Sequence, residues 1–342
     1  TMGLVGESGC GKSTLLNIIS GVLAKDGKNY FSGSMYLKQN AVLENDFEEL
    51  SPLVAMVFQN PEDQLFAETV YEEVAFALKN KRLPKEEIHK KVLTILQFVG
   101  LQGMEERDIR QLSGGQQQRL ALASMVVHEP ELLILDEPLS QIDPQGARDL
   151  LTLLCKLIKK YNMTILMAEH RLHEVLEFCH RLIIMEGGEI VSDNSIQKIV
   201  ANALILKQFS LRVPPALMIS EHFSIQPPTM DREILIKEMR KKEFHIDHTL
   251  PSAMERTGSD ALILKNITYK YGNHTGINAI SLCFKSNSFN ALIGANGSGK
   301  STLLKIIGGL LKPQNGKIET GLQTSMILQN PDLMLFNYTV KE

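Results

Sequence analysis

Leu112-Ser113-Gly114-Gly115-Gln116 begins one stretch of this chain, and Leu132-Leu133-Ile134-Leu135-Asp136-Glu137 ends it. The residues between them have helical composition. An apolar strand closing in Asp-Glu brings two carboxylates to one point, as phosphate chemistry with magnesium requires. A serine and two glycines just ahead of a helix instead offer backbone N–H groups and a helix N-terminus to an anion. About 20 residues at the helical rise span roughly 30 Å. The two ends therefore cannot serve one phosphate, and one of them must serve a nucleotide held by another domain. This inference calls for a second phosphate loop.

Upstream, Met2 to Gly6 is apolar and small and leads into Gly6-Glu7-Ser8-Gly9-Cys10-Gly11-Lys12-Ser13-Thr14. This is G-x4-G-K-S. Glycines in such a loop let backbone N–H groups wrap phosphates, while Lys12 reaches the β- and γ-phosphates and Ser13 ligates magnesium. Leu15, Leu16, Ile18 and Ile19 continue as a helix that Gly21 closes. A glycine-rich turn that binds nothing fits less well, given the strand before and the helix after.

Residues 29–50 read as a small antiparallel excursion, with a turn at Gly33 and a short strand at Met35-Tyr36-Leu37. Leu53 to Phe58 reads as a buried strand that Gln59-Asn60-Pro61 breaks. An exposed Gln there can reach magnesium or an attacking water, although such a turn alone is more often only a turn. Helical spacing follows over Thr69–Leu78 and Glu86–Val99, separated by Pro84 and ended by Gly100. Residues 70–127 are thus expected to form a helical insertion between strands of an α/β core, with Met125, Val126 and Val127 in its core.

After Glu137, Pro138 stops the strand and holds the turn Ser140-Gln141-Ile142-Asp143-Pro144. A helix from Gly146 to Tyr161 and a strand from Met163 to Met167 come next, and the strand exits at Glu169-His170. A lone His at a strand end is usually a surface residue. In an open parallel sheet, however, the strand following Asp-Glu places its exit on the ligand side. Arg181–Met185 and Glu189–Val191 form a closing hairpin. Residues 201–260 lose periodicity and carry Pro214-Pro215 and Pro227-Pro228. They read as a connector with short helices, and the charged run Glu238 to Glu243 as a solvated helix.

From Ala261 the text of the first domain returns. Gly294, Gly297, Gly299, Lys300, Ser301 and Thr302 stand where Gly6, Gly9, Gly11, Lys12, Ser13 and Thr14 stood, at an offset of 288. Gln329-Asn330-Pro331 repeats Gln59-Asn60-Pro61 at an offset of 270, so the second copy is 18 residues shorter between its lysine and its glutamine. Two phosphate loops with two such turns make coincidence negligible. Tyr271 precedes the second loop; an aromatic there either stacks on adenine or fills the core. The expected domains are 1–200, a connector over 201–260, and a second copy over 261–342.

Length and composition agree with a globular chain of about two domains. Of 342 residues, 44% are apolar and 22% charged, and the net charge of −3 gives no electrostatic case for nucleic acid. Four cysteines lie scattered without metal-ligand spacing. No apolar run approaches the roughly 20 residues that span a bilayer. Thr1 to Gly6 reads as the last turn of a strand, so the chain is expected to begin within a domain.

Phosphate loop, Gln turn, Leu-Ser-Gly-Gly-Gln, strand-Asp-Glu and His, in this order, resemble an ATP-binding cassette (ABC) ATPase over nearly the whole chain except the connector. Gln59 to Phe66, Glu169-His170-Arg171-Leu172 and Leu211 to Pro214 resemble, more narrowly, the duplicated ATPase subunits of energy-coupling factor (ECF) importers. Those take up vitamins, thiamine precursors and cobalt or nickel ions. The resemblance implies an α/β P-loop NTPase core with a helical signature subdomain, in tandem, with the second copy incomplete. It implies ATP and magnesium as ligands. Lys12 and Lys300 would bind phosphates, and Ser13 and Ser301 magnesium. Gln59 and Gln329 would sense the γ-phosphate and touch the metal. Asp136 would hold magnesium through water, Glu137 would polarise the attacking water, and His170 would contact the γ-phosphate. Ser113, Gly114, Gly115 and Gln116 would complete a facing site, Asp143 would lie in the turn linking two sites, and Tyr271 would stack on adenine. A transmembrane subunit would dock near Gln59–Phe66 beside a substrate-binding membrane subunit, on the cytoplasmic face of the membrane.

The second copy, from Ala261 to Glu342, lacks a signature, a strand-Asp-Glu and a switch His. Neither intramolecular site is complete as written, and a fragment of a longer tandem ATPase is expected. A dimer through two first domains would still build whole sites, though without their adenine-stacking segment. Two other classes stay open: a soluble tandem ATPase acting on ribosomes or nucleic acid, and an inactive nucleotide-binding regulatory chain. The first should carry a long, strongly basic helical connector, which residues 201–260 are not.

Overall fold

The computed structural model describes residues 1–23, 32–37, 40–42, 52–140, 142–241, 258–272, 274–295, 297–321 and 323–328. They fall in two compact units, Thr1–Glu243 and Phe244–Glu342. Gln141 and Gln329, both singled out by the sequence, lie outside the described residues.

In chain order, the strands of the first unit are β1 (Met2–Gly6), β2 (Met35–Leu37), β3 (Asn40–Val42), β4 (Val54–Val57), β5 (Leu132–Asp136), β6 (Thr164–Ala168), β7 (Arg181–Glu186) and β8 (Glu189–Ser195). Six of them form one sheet in the order β4-β5-β6-β1-β7-β8. All its neighbours are parallel except the hairpin β7–β8. β2 and β3 pair separately and antiparallel, as expected for the excursion. The parallel strands β4, β5, β6 and β1 deliver their carboxyl ends to one edge. There stand Gln59, Asp136-Glu137, Glu169-His170 and the glycine loop.

Successive residues of each strand point to opposite faces, and both faces are covered. Val5, Ala55, Val57, Leu133, Leu135, Ile165 and Met167 pack on one side with the helices Val70–Asn80, Lys85–Val99, Gly114–Val126 and Pro144–Tyr161. Leu4, Val54, Met56, Ile134, Leu166 and Ala168 pack on the other, against Leu16 of the helix Lys12–Ile19. Burial of each Val, Leu, Ile or Met side chain here contributes about 1.5–3 kcal/mol. Residues read as a connector from position 201 fold back on this unit. Leu206, Val213 and Leu217 join the first of these cores, and Ser220 bonds to Thr229 in a loop ahead of the helix Arg232–Arg240.

In the second unit, β9 (Asp260–Tyr271), β10 (His274–Lys285) and β11 (Asn315–Thr320) make an antiparallel sheet in the order β10-β9-β11. Leu262, Leu264, Ile267 and Ile277 pack on Leu303 and Ile306 of the helix Lys300–Ile307. Residues 290–293 match β1 by sequence but form no strand, and Ile293 is 90% exposed where its counterpart Val5 is 2%. β1 is held on both sides by β6 and β7. Among the described residues, the second unit has no strands equivalent to those.

Candidate active site

The sequence folds the phosphate loop by local steric rules. Gly6 lies where a Cβ would meet Met185 O at 2.2 Å, so only glycine passes this point. Gly11 has φ 101° and caps the helix Lys12–Ile19, a left-handed conformation that glycine alone adopts without strain. Gly9 also has positive φ, and Ser13 and Thr14 are exposed on the first helical turn. Lys12 is buried, with Nζ donating to Gly6 O at 3.0 Å and Glu7 O at 2.9 Å. The second loop repeats this geometry: Lys300 Nζ donates to Gly294 O and Ala295 O at 2.8 and 2.7 Å. Gly299 caps its helix at φ 91°, Gly297 has positive φ and Ser301 is exposed as in the first loop, whereas Thr302 is buried where Thr14 is exposed. Tyr271 is 46% exposed, stacks edge-on with Tyr269, and its hydroxyl lies 3.4 Å from Thr302 Oγ1.

β5 ends in Asp136, which is buried, and Glu137 follows with φ 47°. That conformation is uncommon for a non-glycine residue. It turns the Glu137 carboxylate out of the strand, between two partners. Gln59 Nε2 donates to Oε2 at 2.8 Å, and His170 Nε2 lies 2.6 Å from Oε1. A carboxylate only accepts, so His170 carries its proton on Nε2. The three residues come from the ends of β4, β5 and β6, so the sheet order assembles them.

Asp136 faces the phosphate loop, with Ser13 and Lys12 near enough to act on its carboxyl. Burial raises the Asp136 carboxyl above its usual range and the Glu137 charge adds to this, while Ser13, Lys12 and His170 oppose it. Its Oδ1 is buried without a partner. An unpaired carboxylate oxygen beside a serine hydroxyl and a phosphate loop suits a hard divalent cation, which prefers oxygen ligands. Magnesium therefore fits, with Ser13, Asp136 and Gln59 as the residues that would hold it. Among the described residues no cluster of three or more His, Cys, Asp or Glu offers a different metal site.

Ser113 caps the helix Gly114–Val126 through a reciprocal box. Gln116 N donates to Ser113 Oγ, and Ser113 N donates to Gln116 Oε1 at 2.9 Å. A Cβ on Gly114 or Gly115 would meet nothing within 4 Å. Among the described residues no contact requires glycine at either position. The helix has 13 residues, shorter than the stretch read from sequence, because Glu129 turns out at φ 59° ahead of Pro130. It spans about 20 Å at the helical rise, but β5 runs back beside it, Gln118 and Leu122 lining one small cavity with Leu135 and Pro138, so helix length alone does not set Ser113 apart from the carboxylates. Asp143 accepts from Gly146 N at 2.7 Å and caps the helix Pro144–Tyr161.

Three residues with structural work were not assigned one from the sequence. Glu169 is 2% exposed, and its carboxylate accepts from Leu139 N, His170 N and Arg171 N. Gln64 ties the Gln turn to β4, accepting from Phe58 N and donating to Met56 O. Glu73, also buried, accepts from Phe66 N and Ala67 N. No sequence signal marks them, because each partner is a backbone N–H or carbonyl. On the loop that these residues brace, Phe66 is 64% exposed and meets the half-exposed Phe76 edge-on at 4.7 Å.

The family model for the ABC transporter matches residues 1–140 and 277–335, the segments that carry the two phosphate loops. The chain belongs to the ABC transporter family. A protein of Methanosarcina mazei, provisionally named an ABC transporter ATP-binding protein, is 34% identical over 366 residues, covering 99% of this chain and 63% of its own length. A Bacillus subtilis protein provisionally named HMP/thiamine import ATP-binding protein YkoD is 32% identical, covering 98% of this chain and 63% of that protein. The chain thus spans about three-fifths of the length of these curated relatives. Among solved structures, cbiO1 of Clostridium perfringens, part of the ABC transporter complex cbiONQ, superposes with a TM-score of 0.56 at 30% identity. That match covers 64% of this chain and 86% of cbiO1. The ATP-binding cassette MJ0796, a dimer bound to ADP and Pi after hydrolysis, gives 0.50 at 26% identity over 57% of this chain and 84% of that one.

Proposed function

We propose that this chain is the ATP-hydrolysing motor of a membrane importer, a peripheral subunit at the cytoplasmic face. The carrying observation is the Glu137 carboxylate held between Gln59 and His170, one residue beyond Asp136 and beside a phosphate loop. ATP lies with its phosphates along the loop at Gly6–Thr14, and Lys12 turns from Gly6 O and Glu7 O to the β- and γ-phosphates. Ser13, Asp136 and Gln59 would hold magnesium, which when bound would neutralise charge on the transferring phosphoryl group. Glu137 takes the proton of the attacking water, and His170 steadies both Glu137 and the γ-phosphate.

A second domain supplies the facing signature. Ser113 with the N–H groups of Gly114 and Gly115 closes over a nucleotide held elsewhere, either in a tandem copy or in a second chain. The open space above both glycines supports this, and the MJ0796 cassette is a dimer. In the second copy, Lys300 and Ser301 hold the phosphates and magnesium, Gln329 senses the γ-phosphate, and Tyr271 stacks on adenine. Hydrolysis removes the charge that the signature helix holds, and the pair opens.

A transmembrane subunit docks on the loop Gln59–Phe66, where the Phe66–Phe76 pair offers an exposed aromatic face. No helix among the described residues is long and apolar enough to cross a membrane. YkoD and cbiO1 favour an ECF-type importer of a thiamine precursor, another vitamin or a transition-metal ion. The test is to tag the full-length protein in its source cell and identify what co-purifies from detergent-solubilised membranes. A multi-span membrane protein, lost when Phe66 and Phe76 are both changed to Ser, is the expected result. Ribosomes or nucleic acid with an empty membrane fraction would overturn it.

A further inference from the structure

Glu169 is the first residue after β6, next to His170, and nearly all of it is out of solvent. A buried carboxylate is costly unless its oxygens are satisfied. Here the two oxygens divide their work. Oε1 accepts from His170 N at 2.9 Å and from Arg171 N at 3.3 Å, while Oε2 accepts from Leu139 N at 3.1 Å. One side chain therefore joins the backbone that carries His170 to the backbone two residues beyond Glu137. Arg171 adds a second tie, with Nη2 donating to Ile142 O at 2.8 Å. The strand ends are also joined directly, Glu137 N donating to Ala168 O at 2.9 Å. These links run in sequence along the turn that leads from Glu137 to Asp143.

We propose that Glu169 and Arg171 are positioning residues that set His170 against Glu137 and yoke that pair to the backbone leading into Asp143. The His170–Glu137 contact is 2.6 Å, and a shift of about 1 Å at such a pair costs up to roughly a hundredfold in rate. Neither residue touches the reacting atoms, so each acts through His170. Any displacement of the Asp143 turn by a facing domain is then felt at His170, and the reverse. The inference rests on the reading of Glu137 and His170 as the hydrolytic pair.

The test is a double-mutant cycle on the full-length protein, reading kcat and KM for ATP. Glu169→Gln keeps the shape but has one accepting oxygen, so either Leu139 N–H or the His170 and Arg171 N–H groups face an NH2. The expected result is a fall in kcat of roughly tenfold or more, with KM within about threefold. On a His170→Ala background the same change should add less than about threefold, because both act through one imidazole. Parental kcat for Glu169→Gln, or a full multiplicative loss in the double variant, would overturn the inference. If Glu169→Gln does not fold, Arg171→Ala enters the same cycle with an expected loss of about three- to tenfold and the same criteria. Parental turnover in His170→Ala would instead overturn the reading of the hydrolytic pair, and this inference with it.

Discussion

His170 Nε2 lies 2.6 Å from Glu137 Oε1, although 33 positions separate the two residues in the chain. The contact exists because β5 and β6 are parallel neighbours whose ends leave the sheet side by side, Asp136 opposite Ala168. Glu137 reaches it through its positive φ, and Gln59 from β4 fixes the other carboxylate oxygen. The position of the candidate base is thus set by three strands, while its exposure is set by one backbone torsion.

The unpartnered Asp136 Oδ1 makes magnesium dependence the first consequence. Asp136→Ala is expected to raise the magnesium concentration for half-maximal turnover by roughly tenfold or more, leaving the melting temperature in magnesium-free buffer near the parent's or above it. Titration of magnesium against ATP hydrolysis reads this. An unchanged midpoint would remove Asp136 from the metal site.

Gly6 and Gly114 separate fold from function. Gly6→Ala drives a Cβ to 2.2 Å from Met185 O, and we expect about 1–3 kcal/mol of lost stability, seen as a melting temperature lower by several degrees. Gly114→Ala meets nothing within 4 Å and should leave the melting temperature unchanged. It should nevertheless lower turnover if, as proposed, a facing nucleotide takes the open space.

How much of this was legible in the sequence differs by kind of residue. The loop around Lys12 and Ser13, the strand end at Asp136 and the helix opening at Ser113 could be read because each follows from chain-local rules. The positions of Gly100 and Thr69 likewise ended and opened helices as chain-local rules require. Glu169, Gln64 and Glu73 could not be read, since their partners are backbone groups that carry no sequence signal. The docking of Leu206, Val213 and Leu217 was hidden for a related reason: isolated apolar residues in short helices have no period. In the second unit, Ile293 shows that a strand-like string needs neighbours before it becomes a strand.

His128, just after the helix Gly114–Val126, gives a pH signature. Neither ring nitrogen has a partner among the described residues. Burial, with a smaller contribution from the Lys81 charge, pushes its pKa from 6.5 down to about 4. A group with a depressed folded-state pKa stabilises the fold above its unfolded value. That contribution is lost as pH falls from 6.5 through about 4. His128→Leu should therefore lose less melting temperature between about pH 7 and pH 5 than the parent does. Equal losses would place the acid sensitivity elsewhere.

The most direct measurement is steady-state ATP hydrolysis by the full-length protein and its Glu137→Gln variant, with ATP binding followed in parallel. Loss of a general base predicts turnover lower by roughly two to four orders of magnitude with ATP still bound. Turnover within about tenfold of the parent would contradict the role given to Glu137, and with it the account of this chain as a motor.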